Sequence, residues 1–287
     1  MEPLAVRAVG LTKSFGGGWS PPRLFPRRRD GRTPSNPLKV LDDVSFEVAR
    51  GEIYGIIGAN GSGKSTLIRI LSTLLLPDAG AVAVFGVDAV RRSMSVRALI
   101  NRVSADPSFF RSMSAGENLL FFGRVYGLKP REIGDRTREI LDRLGFSPEL
   151  AREPMSHLSR GQQQKVAVAR SFLTSPVLML LDEPTTGLDP RSKRDVQAFI
   201  REVRRDHDAT ILLTTHDMEE AELLCDRIAF LAGGRIAAEG TPLSLRRAVA
   251  EARERPVDEV TMEEVFMHLT GRSIEEDETP EEVMAHG

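Results

Sequence analysis

Residues 58–66 read Gly58-Ala59-Asn60-Gly61-Ser62-Gly63-Lys64-Ser65-Thr66. An apolar run, Ile53 to Ile57, precedes them, and Leu67-Ile68-Arg69-Ile70-Leu71 follows with the apolar spacing of a helix laid on a sheet. The segment therefore reads as strand, glycine loop, helix. Gly58 and Gly63 bracket four residues ahead of Lys64 and Ser65, the spacing of a loop that wraps phosphates. Glycines suit such a loop because its backbone conformations are open mainly to glycine, with no side chain between the amides and the anion. The helix that follows adds free N–H groups and a positive dipole end. Lys64 is expected to reach the outer phosphates, and Ser65 to hold Mg²⁺. The pattern implies a nucleotide without saying what the nucleotide is used for.

The rest of the composition fits a globular protein that handles such a ligand. The chain has 287 residues, enough for one large or two small domains with a substantial core. Its 39 Lys and Arg nearly balance 41 Asp and Glu, so no nucleic-acid partner is expected from charge. No apolar run approaches the ~20 residues of a membrane span, and the N-terminus, MEPLAVRAVG, lacks the pattern of a signal peptide. A cytoplasmic location is expected. Cys225 is the single cysteine, so no internal disulfide forms, and a buried structural thiol is expected.

Outward from the glycine loop, the chain alternates strands and helices. Leu4 to Val9 and Val40 to Ala49 read as strands. Between them, residues 16–37 are rich in Gly, Pro and Arg, which predicts a mobile surface insertion. Its arginines suit a solvated loop or contact with anionic lipid head groups. Ala81 to Phe85 reads as a short strand, 91–99 as a helix and 100–104 as a strand. Helices are expected over 118–126, opened by a cap at Ser114 with Glu117 three residues on, and from Pro130 to about Leu144. The span 88–160 thus looks like a helical insertion into an α/β core. Val177 to Leu181 is a continuous apolar run, as in a parallel strand buried on both faces. Helix over 190–206, strand 210–214, helix 218–224 and strand 227–232 follow, implying a mainly parallel sheet covered by helices.

Three further clusters carry chemistry. Asp182 and Glu183 end the buried apolar run, and carboxylates there are costly unless they are used. Beside a phosphate loop, Asp182 can hold the Mg²⁺ shell while Glu183 polarises an attacking water. His216 closes the strand Leu212-Leu213-Thr214-Thr215, at the sheet edge where α/β proteins bind ligands, and can donate to a terminal phosphate. Finally, Ser159, Arg160, Gly161 and Gln162 open a helix and make a second anion-binding N-terminus.

Taken together, GANGSGKST (58–66), LSRGQQQK (158–165), VLMLLDEP (177–184), TTGLD (185–189) and the histidine after ILLTT (211–215) resemble the Walker A, signature, Walker B, D-loop and H-loop motifs of ABC-type ATPases, in that family's order. The resemblance covers about residues 4–240. It implies the α/β P-loop NTPase fold of these ATPases: a mainly parallel sheet core, an antiparallel β subdomain and an inserted helical subdomain. It implies ATP and Mg²⁺ bound between two subunits packed head to tail. In that arrangement ATP touches Gly58, Ala59, Asn60, Gly61, Ser62, Gly63, Lys64, Ser65 and Thr66 of one subunit. The other subunit contributes Ser159, Gly161 and Gln162, and Asp189 belongs to the D-loop. Phe15 matches the aromatic that stacks on adenine. Ser65 and Asp182 are the implied metal residues, and Glu183 and His216 the implied catalytic ones.

Two positions depart from the family. Arg160 stands where glycine is usual, and Ala105 in INRVSADPSFF (100–110) stands where a glutamine normally reaches Mg²⁺ and links the site to the transmembrane partner. Asp106 is adjacent to that position. The segment 261–272, with its stripe Val265, Phe266 and Leu269, resembles the C-terminal segment of ATPases that drive drug and antibiotic exporters through separate membrane subunits. An acidic, solvated tail follows Arg272. The reading is an ATPase subunit of an exporter, peripheral on the cytoplasmic face of the cell membrane. It pairs with a second ATPase subunit and docks on a permease near Phe109, Phe110 and Met113. An importer ATPase, a soluble ATPase acting on ribosomes or DNA, and a weakly hydrolysing regulatory subunit are the alternatives.

Overall fold

The structure is a computed structural model and describes residues 4–16, 37–207 and 209–271. The interior of the expected insertion, 17–36, and the acidic tail from residue 272 lie outside the described residues. The strands are β1 (Leu4–Phe15), β2 (Leu38–Ala49), β3 (Ile53–Ile57), β4 (Ala79–Val84), β5 (Val87–Asp88), β6 (Ile100–Val103), β7 (Leu178–Asp182), β8 (Thr210–Thr215), β9 (Arg227–Ala232) and β10 (Arg235–Gly240). The helices are α1 (Lys64–Leu71), α2 (Ser93–Arg97), α3 (Ala115–Val125), α4 (Pro130–Arg143), α5 (Arg160–Phe172), α6 (Pro190–His207), α7 (Met218–Leu224), α8 (Pro242–Ala252) and α9 (Met262–Thr270).

Two sheets result. The first is antiparallel, in the order β2-β1-β4-β5. Its strand β1 alternates, with Val6, Ala8 and Leu11 buried and Arg7 and Val9 exposed, as expected of a sheet wet on one face. The second has the order β10-β9-β3-β8-β7-β6 and is parallel except for β10. Every residue of β3, β7 and β8 is buried, which explains their unbroken apolar runs.

This strand order positions the chemistry. β8 lies between β3 and β7, pairing Thr215 with Ile57 on one side and Thr214 with Asp182 on the other. The loops that leave the C-terminal ends of β3, β7 and β8 therefore open side by side. The pairing of β3 with β8 brings together segments that are more than a hundred residues apart in sequence.

Helices α3, α4 and α5 pack on one another at the side of the parallel sheet. Ser114 and Glu117 cap α3 reciprocally, and Ile133, Ile140, Leu141 and Leu144 form the buried stripe of α4 and its end. The first part of the span 88–160 differs in character from the helices after it. Asp88 ends a strand of the antiparallel sheet, and β6 pairs in parallel with β7 in the core sheet, so the helical part begins beyond Val103. The strand expected over 100–104 is present as β6, but its pairing with β7 in the core sheet is not something its own four residues state.

The C-terminal helices join the core. Val249 of α8 and Val265 and Phe266 of α9 are buried, and the Phe266 ring meets Phe230 of β9 edge to face at 5.4 Å between centroids. Cys225 is buried against Gly55, as expected of a structural thiol. Among the described residues, no helix is long and apolar enough to cross a membrane.

Candidate functional site

The glycine loop joins β3 to α1. Gly63 has φ +107°, a backbone conformation in the left-handed half of the map that a side chain resists. A Cβ on Gly63 would also lie 2.8 Å from the Val40 carbonyl oxygen and from Leu41 Cδ2. One on Gly58 would lie 2.6 Å from Ser62 Oγ. Ser62 Oγ is itself buried with no hydrogen-bond partner among the described residues. Lys64, Ser65 and Thr66 stand in the first turn of α1, whose N–H groups have no partner within the helix. An orphaned hydroxyl, a side-chain-free cradle and a helix N-terminus fit an anion.

Lys64 lies at the centre of this loop and is 4% exposed. Its ammonium donates to the carbonyls of Gly58 and Ala59 at 2.7 and 2.9 Å and sits 3.3 Å from Glu183 Oε1. Burial depresses its pKa, and Glu183 and Asp182 oppose that shift.

Asp182 is buried, and its Oδ1 accepts from Ser65 Oγ at 3.2 Å and from Thr214 Oγ1 at 2.9 Å. Ser65 Oγ and Asp182 are the hard oxygen donors that Mg²⁺ takes, so the residues fit that ion. Glu183 has φ +49°, which turns the chain away from the strand direction. Its N–H is held by the Thr214 carbonyl at 3.0 Å. The Glu183 carboxylate thus leaves the strand end differently from that of Asp182. Burial pushes its pKa up, but His216, Lys64 and Thr186 outweigh burial and hold it at about 2. Thr186 Oγ1 donates to Glu183 Oε2 at 3.0 Å. His216 Nδ1 lies 3.3 Å from the same oxygen without hydrogen-bond alignment. The adjacent Glu183 carboxylate is the main reason the His216 pKa is raised.

Lys64, Ser65, Asp182, Glu183 and His216 are thus brought together. Sequence reasoning missed Thr214 and Thr186, which hold the two carboxylates. Thr214 gave only the faint signal of a polar residue ending an apolar run, and Thr186 stands within the TTGLD motif without any sign of its contact with Glu183.

Phe15 ends β1 opposite Leu38 and is 40% exposed, with the Lys13 ammonium 5.7 Å from its ring centroid. It is a surface aromatic. Gly63 packs on Val40, two residues along β2 from the partner of Phe15, so this ring and the glycine loop share one side of the fold.

The segment Ser159 to Gln162 opens α5 with a reciprocal cap between Ser159 and Gln162. No hydrogen bond or ion pair joins it to residues 58–66 among the described residues. A Cβ on Gly161 would meet Ser192 Oγ at 2.8 Å and Asp189 Oδ2 at 3.2 Å. Asp189 accepts from the N–H groups of Arg191 and Ser192 and so caps α6 beside that segment. Arg160 is exposed beside Gly187 and 3.7 Å from Asp106. Among the described residues the one ion pair of Asp106 is with Arg160, and its carboxylate is exposed to solvent rather than engaged with Ser65 and Asp182.

Comparison with known proteins agrees with this geometry. The family described as ABC transporter matches residues 41–186. The daunorubicin resistance ATP-binding protein DrrA3 of Streptomyces coeruleorubidus is 37% identical over 246 residues, spanning 83% of this chain and 76% of that one. The Nod factor export ATP-binding protein I of Neorhizobium galegae is 40% identical over 206 residues, 72% of this chain and 59% of that one. A solved structure described as the ATP binding subunit of an ABC transporter superposes with a TM-score of 0.74 at 28% identity, covering 93% of this chain and 99% of that one. The chain belongs to the ABC transporter family, of which it is an ATP-binding ATPase subunit.

Proposed function

We propose that this chain is the motor of an exporter whose membrane-spanning part is a separate permease, and that it works as one of two ATPase subunits closing on ATP. The observation that carries the reading is the convergence of Lys64, Asp182, Glu183 and His216 on adjoining strand ends. The names of the relatives, daunorubicin resistance and Nod factor export, support outward transport, and so does the packed C-terminal helix α9.

Lys64 and the first turn of α1 bind the phosphates, and Phe15 stacks on adenine. Ser65 and Asp182 would hold Mg²⁺, which when bound would neutralise charge on the phosphates. Phosphate oxygens compete with Glu183 for Lys64, so nucleotide binding frees the carboxylate. A carboxylate held at about 2 is a weak base at neutral pH, and loss of its contact with Lys64 moves its pKa upward. Glu183 then orients and polarises water, with His216 at its other oxygen. Ser159, Gly161 and Gln162 of a second subunit cover the outer phosphate. That role is compatible with the lack, among the described residues, of any hydrogen bond or ion pair between them and the glycine loop of their own chain.

The permease docks on the aromatic face where Phe110, Phe121 and Tyr126 are 46%, 42% and 47% exposed. Phe109 is half-buried under Arg170 and serves as support for this face. The chain then lies on the cytoplasmic face of the membrane. Ala105, with Asp106 engaged by Arg160, favours a second reading in which coupling is weak and the chain is regulatory.

The test is the ATPase rate of the full chain, alone and with its permease in lipid vesicles, for wild type and Ala105→Gln. Stimulation of the wild type with substrate leaving the nucleotide side supports the exporter motor. Slow, unstimulated hydrolysis rescued by glutamine supports the regulatory reading.

A further inference from the structure

Glu220 lies in α7, four residues after His216, and is 1% exposed. Its Oε1 accepts from Thr185 Oγ1 at 2.6 Å and from Gln197 Nε2 of α6 at 3.3 Å. Its Oε2 is buried with no hydrogen-bond partner among the described residues. Burial raises the pKa of this carboxyl and favours its neutral form. A polar group so placed is costly, and nothing in the binding of phosphate, metal or adenine uses it.

Its contacts lead back to the reaction. Thr185 lies two residues after Glu183, and its neighbour Thr186 donates to Glu183 Oε2 at 3.0 Å. The turn between β7 and α6 is therefore held by two adjacent hydroxyls, Thr185 on Glu220 and Thr186 on Glu183. Asp217, three residues before Glu220, caps α7 by accepting from the Glu220 N–H at 2.9 Å, so the same helix end carries His216.

We propose that Glu220 is a positioning residue for hydrolysis. By anchoring Thr185 between α6 and α7 it fixes Thr186, and through Thr186 the direction of the Glu183 carboxylate. This inference rests on Glu183 being the carboxylate that polarises water.

The experiment measures steady-state ATP hydrolysis and binding of a fluorescent ATP analogue by the full chain. The variants are Glu220→Ala, Glu220→Gln, Thr185→Val and the Glu220→Ala/Thr185→Val double variant, with Glu183→Gln as control. Glu220→Ala and Thr185→Val are each expected to lower kcat about tenfold while nucleotide Kd stays within about twofold. The double variant is expected to lose no more than either single one. Glu220→Gln keeps an oxygen for Thr185 and is expected to retain most of the rate, while the loss in Thr185→Val, which removes only the hydroxyl, is what a merely space-filling role would not predict. Thr185→Val preserves volume and keeps the test alive if Glu220→Ala fails to fold. Wild-type kcat in Glu220→Ala or Thr185→Val, or additive losses in the double variant, overturns the proposal. Wild-type turnover in Glu183→Gln overturns both assignments, whereas its loss there beside intact turnover in Glu220→Ala overturns this one alone.

Discussion

Lys64 Nζ and Glu183 Oε1 stand 3.3 Å apart with side chains only 4% and 14% exposed, so the cation proposed to bind phosphate and the carboxylate proposed to polarise water share one contact. In the proposed function this pairing links binding to catalysis, because a ligand that takes the cation releases the carboxylate. Lys64→Met, which keeps the side-chain length and removes the charge, is expected to weaken ATP binding by at least about tenfold, the scale of one charge-assisted hydrogen bond. Equilibrium titration of a fluorescent ATP analogue checks this. Unchanged affinity would remove Lys64 from the phosphate site.

The contact between His216 and Glu183 has a pH signature. The folded-state pKa of His216 is raised above its ordinary 6.5, so its contribution to stability is full below about that pH and is lost as pH rises through the raised value. Glu183, held at about 2, contributes above its ordinary 4.5 and loses that only as pH falls toward 2. Between pH 5 and 9 only the histidine changes charge. The Tm difference between wild type and His216→Gln is therefore expected to be largest near pH 5.5 and to shrink toward pH 9. A difference that stays flat, or grows with pH, contradicts the pairing.

The C-terminal helix α9 is part of the core. Phe266 is 1% exposed and packs edge to face on Phe230 of the parallel sheet. Phe266→Ala should cost about 3–5 kcal/mol, the usual scale for emptying such a site. Urea unfolding measures it directly. A loss under about 1 kcal/mol would mean that α9 is only loosely attached.

Much of this was legible because its signals are local. The glycine spacing before Lys64, the apolar run into Asp182 and Glu183, and the hydroxyl caps at Ser114 and Ser159 are all read within a few residues. The carboxylate supports were not, because Thr214 meets Asp182 only once β8 settles between β3 and β7. Strand order is a property of the whole sheet, and no stretch of sequence states it. The same limit applies to Glu220, which reads as one acid on an amphipathic helix until packing places it under Thr185. It also separates Phe109 from Phe110: adjacent in sequence, one is packed under Arg170 and the other faces solvent. The strand over 100–104 is legible by itself, but its pairing with β7 in the core sheet is not, so the span 88–160 reads as one helical insertion.

The most direct measurement is the ATPase rate of Glu183→Gln, set beside its affinity for ATP. The amide keeps the size of the side chain and can still accept from Thr186, but it carries no charge to polarise water and does not compete for Lys64. The account predicts that kcat falls by at least about a hundredfold, the scale of general-base catalysis, while ATP binds as tightly as in wild type or more tightly. Turnover at the wild-type rate would contradict the assignment of Glu183 and with it the central claim about this site.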